Sequence, residues 1–596
     1  MKHLILFLFI VLFTTPSHAQ TFSINERGCV TCKDAQPGDK GEIDGVTYEA
    51  VDRALLIQRR DEGADLTKVC VSLVTDMSSM FLNKTTFNQP IGNWDVSSVT
   101  SMRKMFFGAK TFNQSIENWD VSSSTNFESL FYNANSFNQP LETWNVSLVT
   151  DMSWMFSHAF AFNQPIGNWN VSSVTTMAGM FENALEFNQP IGNWDVRNVT
   201  DMSIMFGGAK KFNNPLSDWN VSKVTNMFGM FGGASIFNQP IGNWNVGSVT
   251  VMSFMFSFTN EFDQPLDMWN VSAVTLMGNM FYNAAKFNQP IGTWDLSSVK
   301  YTYQMFNNAK VFNQPIGNWN VSSVTSMFEM FKDASKFNQP IGNWNVSSVT
   351  NMTGLFENAT SFNQPIGNWN VSSVIITARM FTSAADFNQP IGNWDVSSVI
   401  AMDNMFEGAI AFNHPIEKWD VSSVQSFQAM FYKAYSFNQP IGNWKVSTVW
   451  HMRNMFADAI SFNQNLSGWC VSNILSEPDG FSLNSPLSPE NKPQWGSCPF
   501  VSVEGSGNPG AFELFPNSPN PFNPETMIRF QLPASVLVTL TVYDVLGRPV
   551  AVLINEPRPA GIHDISFDAT GLASGTYFYR LIAGDQLKTG KMVLSK

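Results

Sequence analysis

Charge is scarce in this chain: Asp, Glu, Lys and Arg make up 14% of its 596 residues, and the formal net charge is −13. A sparse, acidic charge excludes nucleic acid and anionic membrane as partners, because both demand clustered cations. Long apolar runs are missing after the first twenty positions, so no later segment is expected to span a bilayer. Histidine is rare too. The six are His3, His18, His158, His414, His451 and His563, and they fall at unrelated places. There is no metal-ligand spacing, phosphate loop or nucleophile–histidine–acid set, so no cofactor, metal or catalytic residue is expected, and the chain reads as a non-enzyme.

What is abundant is periodic. Tryptophan recurs every twenty-five positions from Trp94 to Trp469, and Phe106 to Phe456 and Phe87 to Phe462 keep the same interval without an insertion. A fixed period of this size is the signature of a stacked repeat. Within one unit the apolar positions are Phe87, Ile91, Trp94, Val96, Val99, Met102, Met105, Phe106 and Ala109. Trp94 and Val96 alternate with Asn93, Asp95 and Ser97, which predicts a short strand over 93–97. From Val99 the spacing becomes three and four, which predicts a short α- or 3₁₀-helix through Phe106. Phe-Asn-Gln-Pro then turns the chain back, since Pro90 neither extends a helix nor donates to a ladder.

Ile91, Trp94 and Val96 match the opening of the leucine-rich-repeat pattern. The expected fold is therefore an α/β repeat solenoid, a leucine-rich-repeat-like stack of short parallel strands and short helices, followed by a small Ig-like β-sandwich. One unit cannot cover its own apolar face, so stacking must place Trp on Trp and Phe on Phe. Asn88 recurs as asparagine except where Asp263 stands in, and reads as a ladder that satisfies backbone groups of the turn.

Taken in order, 1–19 reads as a secretory signal, with Lys2, an apolar run from Leu4 to Phe13 and the ending Ser17-His18-Ala19. Residues 20–65 form an N-terminal cap, with a hairpin around Asp44-Gly45 and a helix from Arg53 to Glu62, capped by Asp52 and ended by Gly63. The stack itself runs over 66–470 in about 17 rungs, beginning with a degenerate rung at Val69. Residues 471–510 are a C-terminal cap and linker, and 511–596 hold six short strands between Met527 and Leu594. Of the five cysteines, Cys70 and Cys470 occupy the same outward position in the first and last rungs. Cys70 is expected to pair with Cys32, with Cys29 as the alternative, and Cys470 with Cys498, which staples both open ends.

The repeat phrases Phe-Asn-Gln-Pro-Ile, Asn-Trp-Asp-Val-Ser-Ser-Val-Thr and Met-Phe resemble those of BspA-like leucine-rich-repeat surface proteins. The run Phe515-Pro-Asn-Ser-Pro-Asn-Pro-Phe-Asn-Pro524, with Val542-Tyr-Asp-Val-Leu-Gly-Arg548 and Leu572-Ala-Ser-Gly-Thr-Tyr577, resembles the C-terminal sorting domain of type IX secretion. The first resemblance implies adhesion to an extracellular protein or glycan. The second implies export across inner and outer membranes to the cell surface or beyond, through secretion machinery that reads 511–596.

The binding face expected from the residues is the polar row beside tryptophan: Asn93, Asp95, Asp120, Asn145, Asn170, Asp195, Asn220, Asp295, Asn320, Asp395 and Asp420. Many weak sites in a row suit a repetitive partner. Neighbouring aspartates, Asp95/Asp120 and Asp395/Asp420, also raise a carbohydrate-active reading with a glycosidase-type pair, and a calcium ion held between rungs, but the free exchange with asparagine argues against acid–base work. A passive extracellular spacer is the remaining alternative.

Overall fold

The computed structural model describes residues 22–499 and 512–596, so the expected signal at 1–19, part of the linker and the first residue of the terminal domain lie outside the described residues. The chain divides into two compact units, Met1–Pro499 and Phe500–Lys596.

In the first unit the rungs stack in register, but neither predicted element of the repeat forms. The α/β solenoid is overturned: among the described residues the helical segments are one α-helix near the N-terminus and two three-residue 3₁₀ turns, none of them in a regular repeat, and the named sheets are mostly antiparallel. Each repeat is a succession of turns. The N–H of Met105 returns to Met102 O, and that of Ala109 to Phe106 O, both at 3.0 Å. The N–H groups of Met102, Lys104, Phe106 and Gly108 instead donate to Asn126, Glu128, Leu130 and Tyr132 of the next rung at 2.7–3.1 Å. Backbone donors thus alternate between closing a turn and tying two rungs together, which leaves few unpaired. Lys104 and Gly108 take positive φ values of 58° and 69° to allow this.

Consecutive turns bury residues three and four apart, as a helix does, and that degeneracy misled the sequence reading. The strand expected at 93–97 is also absent; a turn there returns Val99 N–H to Val96 O at 2.9 Å. Parallel pairing between rungs falls instead on single bridges, from Asp76–Ser101 through Ser426–His451.

The core is a set of aromatic files. Trp94 and Trp119 lie 6.3 Å apart and 2° from parallel, and Trp444 and Trp469 6.5 Å apart at 2°. Phe106 contacts Phe131 at 5.5 Å along its file and Phe112 at 4.1 Å within its rung. Every indole of the file is buried. Each N–H has a partner in the rung before, as in Trp119 to Ile91 O at 3.1 Å and Trp469 to Ile441 O at 3.0 Å. The asparagine ladder works the same way: Asn88 Oδ1 accepts Asn113 N–H at 2.9 Å, and Asp263 Oδ1 accepts Asn288 N–H at 2.9 Å.

Both ends are closed. Strands β1 (Ser23–Ile24) and β2 (Val30–Thr31) pair antiparallel, as do β3 (Lys40–Ile43) and β4 (Val46–Ala50), and β4 runs parallel to β5 (Val69–Cys70). The β3–β4 turn places Asp44 and Gly45 at positive φ. Helix α1 (Arg53–Asp61) is capped by Asp52, which accepts Leu55 N–H at 2.8 Å. The first rung has no predecessor to donate to its carbonyls, and α1 supplies the donors. Arg53 reaches Asp76 O and Ser78 O at 2.8 and 2.7 Å, and Arg60 reaches Met80 O. At the other end the tail contributes carbonyls: Asp479, Phe481 and Leu483 accept N–H bonds from Asn454, Phe456 and Asp458 at 2.7–3.0 Å. Disulfides Cys32–Cys70 and Cys470–Cys498 staple the two caps.

The second unit is sandwich-like. β6 (Glu513–Leu514), β7 (Glu525–Leu532) and β10 (Gly561–Asp568) form one antiparallel sheet, and β8 (Val536–Tyr543), β9 (Pro549–Arg558), β11 (Gly575–Ala583) and β12 (Gln586–Leu594) form another. Ile528 and Phe530 of the first sheet share one core with Leu540, Tyr579, Leu581 and Met592 of the second.

Candidate functional site

The residue after each tryptophan opens a turn, and its side chain holds that turn. In Asp95, Asp120, Asn145, Asn170, Asp195, Asn220, Asp295, Asn320, Asp395 and Asp420, Oδ1 accepts the backbone N–H two residues on, at 2.9–3.3 Å. Only one carbonyl-type oxygen is needed, and aspartate and asparagine both have it. Their exchange along the file follows from that.

Exposure differs from end to end. Asp95 is 3% exposed and accepts Ser72 Oγ–H at 2.9 Å. Asn93 is half-buried: its Nδ2 donates to Thr67 O at 2.9 Å and its carbonyl accepts Val30 N–H at 2.8 Å. The N-terminal hairpin therefore covers the start of the expected binding face. Asp120 is also half-buried, whereas Asn145, Asn170, Asn220, Asp295, Asn320, Asp395 and Asp420 are open to solvent. Asp195 is half-buried against Arg197 Nε at 2.7 Å.

The electrostatics run against a proton donor. Burial pushes the Asp120 carboxyl up, but hydrogen bonds from Ser122 and the cations Arg27 and Lys33 outweigh it and leave the pKa lowered. Arg197 lowers that of Asp195, and the Ser122 equivalent, Ser422, lowers that of Asp420. A glycosidase acid needs the opposite shift. The free oxygens and amides of the exposed members can accept and donate hydrogen bonds to a ligand.

Other reactive types are held in structural roles. His158 Nδ1 lies 3.0 Å from Ser157 Oγ, and Ser157 Oγ–H donates to Glu182 Oε2 at 2.7 Å, but Ser157 is wholly buried and offers no nucleophile to solvent. Among the described residues no three His, Cys, Asp or Glu side chains converge as a metal cluster. Cys29 is the thiol outside both disulfides; it is buried, and burial pushes its pKa up to about 11. The period-based reading passed over residues that depart from the repeat, including the capping Arg53 and Arg60 and a group of outward aromatics near Tyr301. Subtracting the common repeat from each unit is the signal that finds them.

Fold and site together define a repeat protein: a capped stack of near-identical turn-built rungs, with a separate β-domain after it. Residues 55–164, 139–233, 214–314, 289–391 and 378–490 match the family described as Mycoplasma protein of unknown function, DUF285, and the chain belongs to that family. Residues 518–595 match the secretion system C-terminal sorting domain. No curated protein matches the chain. The sorting domain directs the protein through type IX secretion machinery to the cell surface or extracellular space. Among the described residues no helix is long and apolar enough to cross a membrane.

Proposed function

We propose that the protein is a non-enzymatic adhesion or interaction protein that engages an extracellular protein or glycan surface through its repeated outward positions. The likeness of the repeat phrases to BspA-like surface proteins supports adhesion in particular. The observation that carries the reading is the Asx row from Asn145 to Asp420, open to solvent except at Asp195, which presents a carboxylate or amide oxygen rung after rung on a rigid support. Contacts that are individually weak gain avidity when they are linked in this way. The test is capture of the full secreted chain on arrays of immobilised matrix proteins and glycans. Capture by at least one surface is expected, and capture by none would overturn the proposal.

A further inference from the structure

The core positions of a rung barely change along the chain, whereas the outward positions of its turn ladder vary widely. The bridge position alone reads Asn226, Val251, Leu276, Tyr301 and Ser326 in succession. Over the rungs from Asn226 to Asn308 this ladder gathers aromatic side chains that no core contact requires: Phe228, Phe254, Phe258, Tyr282, Tyr301 and Tyr303. Phe258 is 52% exposed, Tyr301 41% and Phe228 37%. They lean on one another in pairs: Phe228 and Phe254 are centred 5.4 Å apart and Phe258 and Tyr282 5.2 Å, each across neighbouring rungs, and Tyr301 and Tyr303 6.4 Å within one rung. Gly278 makes room for one of them. A Cβ there would come within 2.4 Å of the Tyr303 ring, so the ring rests over the backbone of the preceding rung only because that residue is glycine. Exposed and half-buried aromatic side chains gathered on successive rungs in this way mark an interaction site.

The chemistry between the rings identifies the partner. Amides such as Asn226, Asn283 and Asn308 alternate with the aromatics, and the five outward ladder positions of these rungs carry no charged residue. Charge enters only on the bordering positions, as the Glu261–Lys286 ion pair, Lys300 and Lys310. On the C-terminal side the strip ends at a network in which Lys332 and Arg379 bridge Glu329 and Glu357. A charge-free strip complements a neutral ligand. Rings carried by each of four successive rungs suit a ligand that itself repeats a ring. Tyrosine adds a hydroxyl at the edge of an apolar face, which matches a sugar, with its C–H face and hydroxyl rim. We propose that this strip binds a neutral polysaccharide, its sugar rings lying on the aromatic side chains and its hydroxyls on the amides and tyrosine hydroxyls. This rests on the reading of the protein as an exported binding array.

The test is affinity electrophoresis and titration calorimetry of the full chain with soluble xylan, laminarin and galactomannan as neutral probes and polygalacturonate as a charged one. At least one neutral probe is expected to bind. The double variant Tyr301→Ala/Tyr303→Ala should weaken it about tenfold or more, with unchanged melting temperature, and Phe258→Ala should weaken it as well. Tyr435→Ala, an exposed aromatic outside both the strip and the Asx row, should leave it unchanged. Binding that survives the aromatic substitutions, binding to polygalacturonate alone, or no polysaccharide binding would each overturn the assignment. If no polysaccharide bound but immobilised matrix proteins captured the chain, the strip would fall while the binding array stood; capture by nothing at all would overturn both.

Discussion

A single asparagine position shows how the repeat is held. Asn313 Oδ1 accepts the N–H of Asn338 at 2.9 Å and the Gln339 amide at 3.0 Å, one rung on. Asp263 does the equivalent work with a carboxylate, so what the site requires is an acceptor oxygen. Asn313→Asp should therefore be nearly neutral, while Asn313→Ala, which strands a backbone donor, should cost about 1–3 kcal/mol. Urea melts of the two variants check this, and equal losses would show that the ladder contributes nothing specific. The same logic made the Asn file readable from sequence, because a residue kept for one acceptor tolerates one replacement, and Asp263 is that replacement. The Asx row beside tryptophan was legible as polar and interchangeable. Its covered start was not, since the hairpin over Asn93 and Asp95 is a contact between distant segments that no spacing encodes.

Among the elements, those with local chemistry were readable and those defined by periodicity alone were not. Asp52 and Gly63 bracket α1 as their capping preferences dictate, and alternating side chains marked β7, β8 and β11. In the rungs, burial at three and four residues fits a helix face and a run of four-residue turns equally well. The discriminating signal lies in the file Asn83, Gly108, Asn133, Asn183 and Gly208, all at positive φ, which is where Gly and Asn are favoured and where a helix places no residue. The end caps follow from the direction of the inter-rung bonds. A first rung offering bare carbonyls needs donors, and Arg53 and Arg60 of α1 provide them. Arg60→Met keeps the aliphatic stem but removes the donors. It should lower stability by about 1–3 kcal/mol and speed hydrogen exchange first in residues 66–83, the rung beneath. Exchange that rises uniformly along the stack would contradict the capping role.

For the molecule as a whole, a sorting domain with its own core follows a stack whose regularity comes from one buried tryptophan in each rung after the first. Export of such a chain delivers a long set of graded outward positions on a fixed framework. That division of labour, invariant inside and variable outside, is what the proposed binding functions draw on. It depends on the sixteen indoles of the file facing inward from Trp94 to Trp469, with Trp154, Trp495 and the 61% exposed Trp450 standing outside it. The most direct check is iodide quenching of tryptophan emission in the full-length native chain. Blue-shifted emission is expected, with only a minor fraction accessible to iodide, and that fraction reduced by Trp450→Phe to what the half-buried Trp154 and Trp495 contribute. Red-shifted emission that iodide quenches throughout would mean that the file faces water and that the rungs do not stack as described.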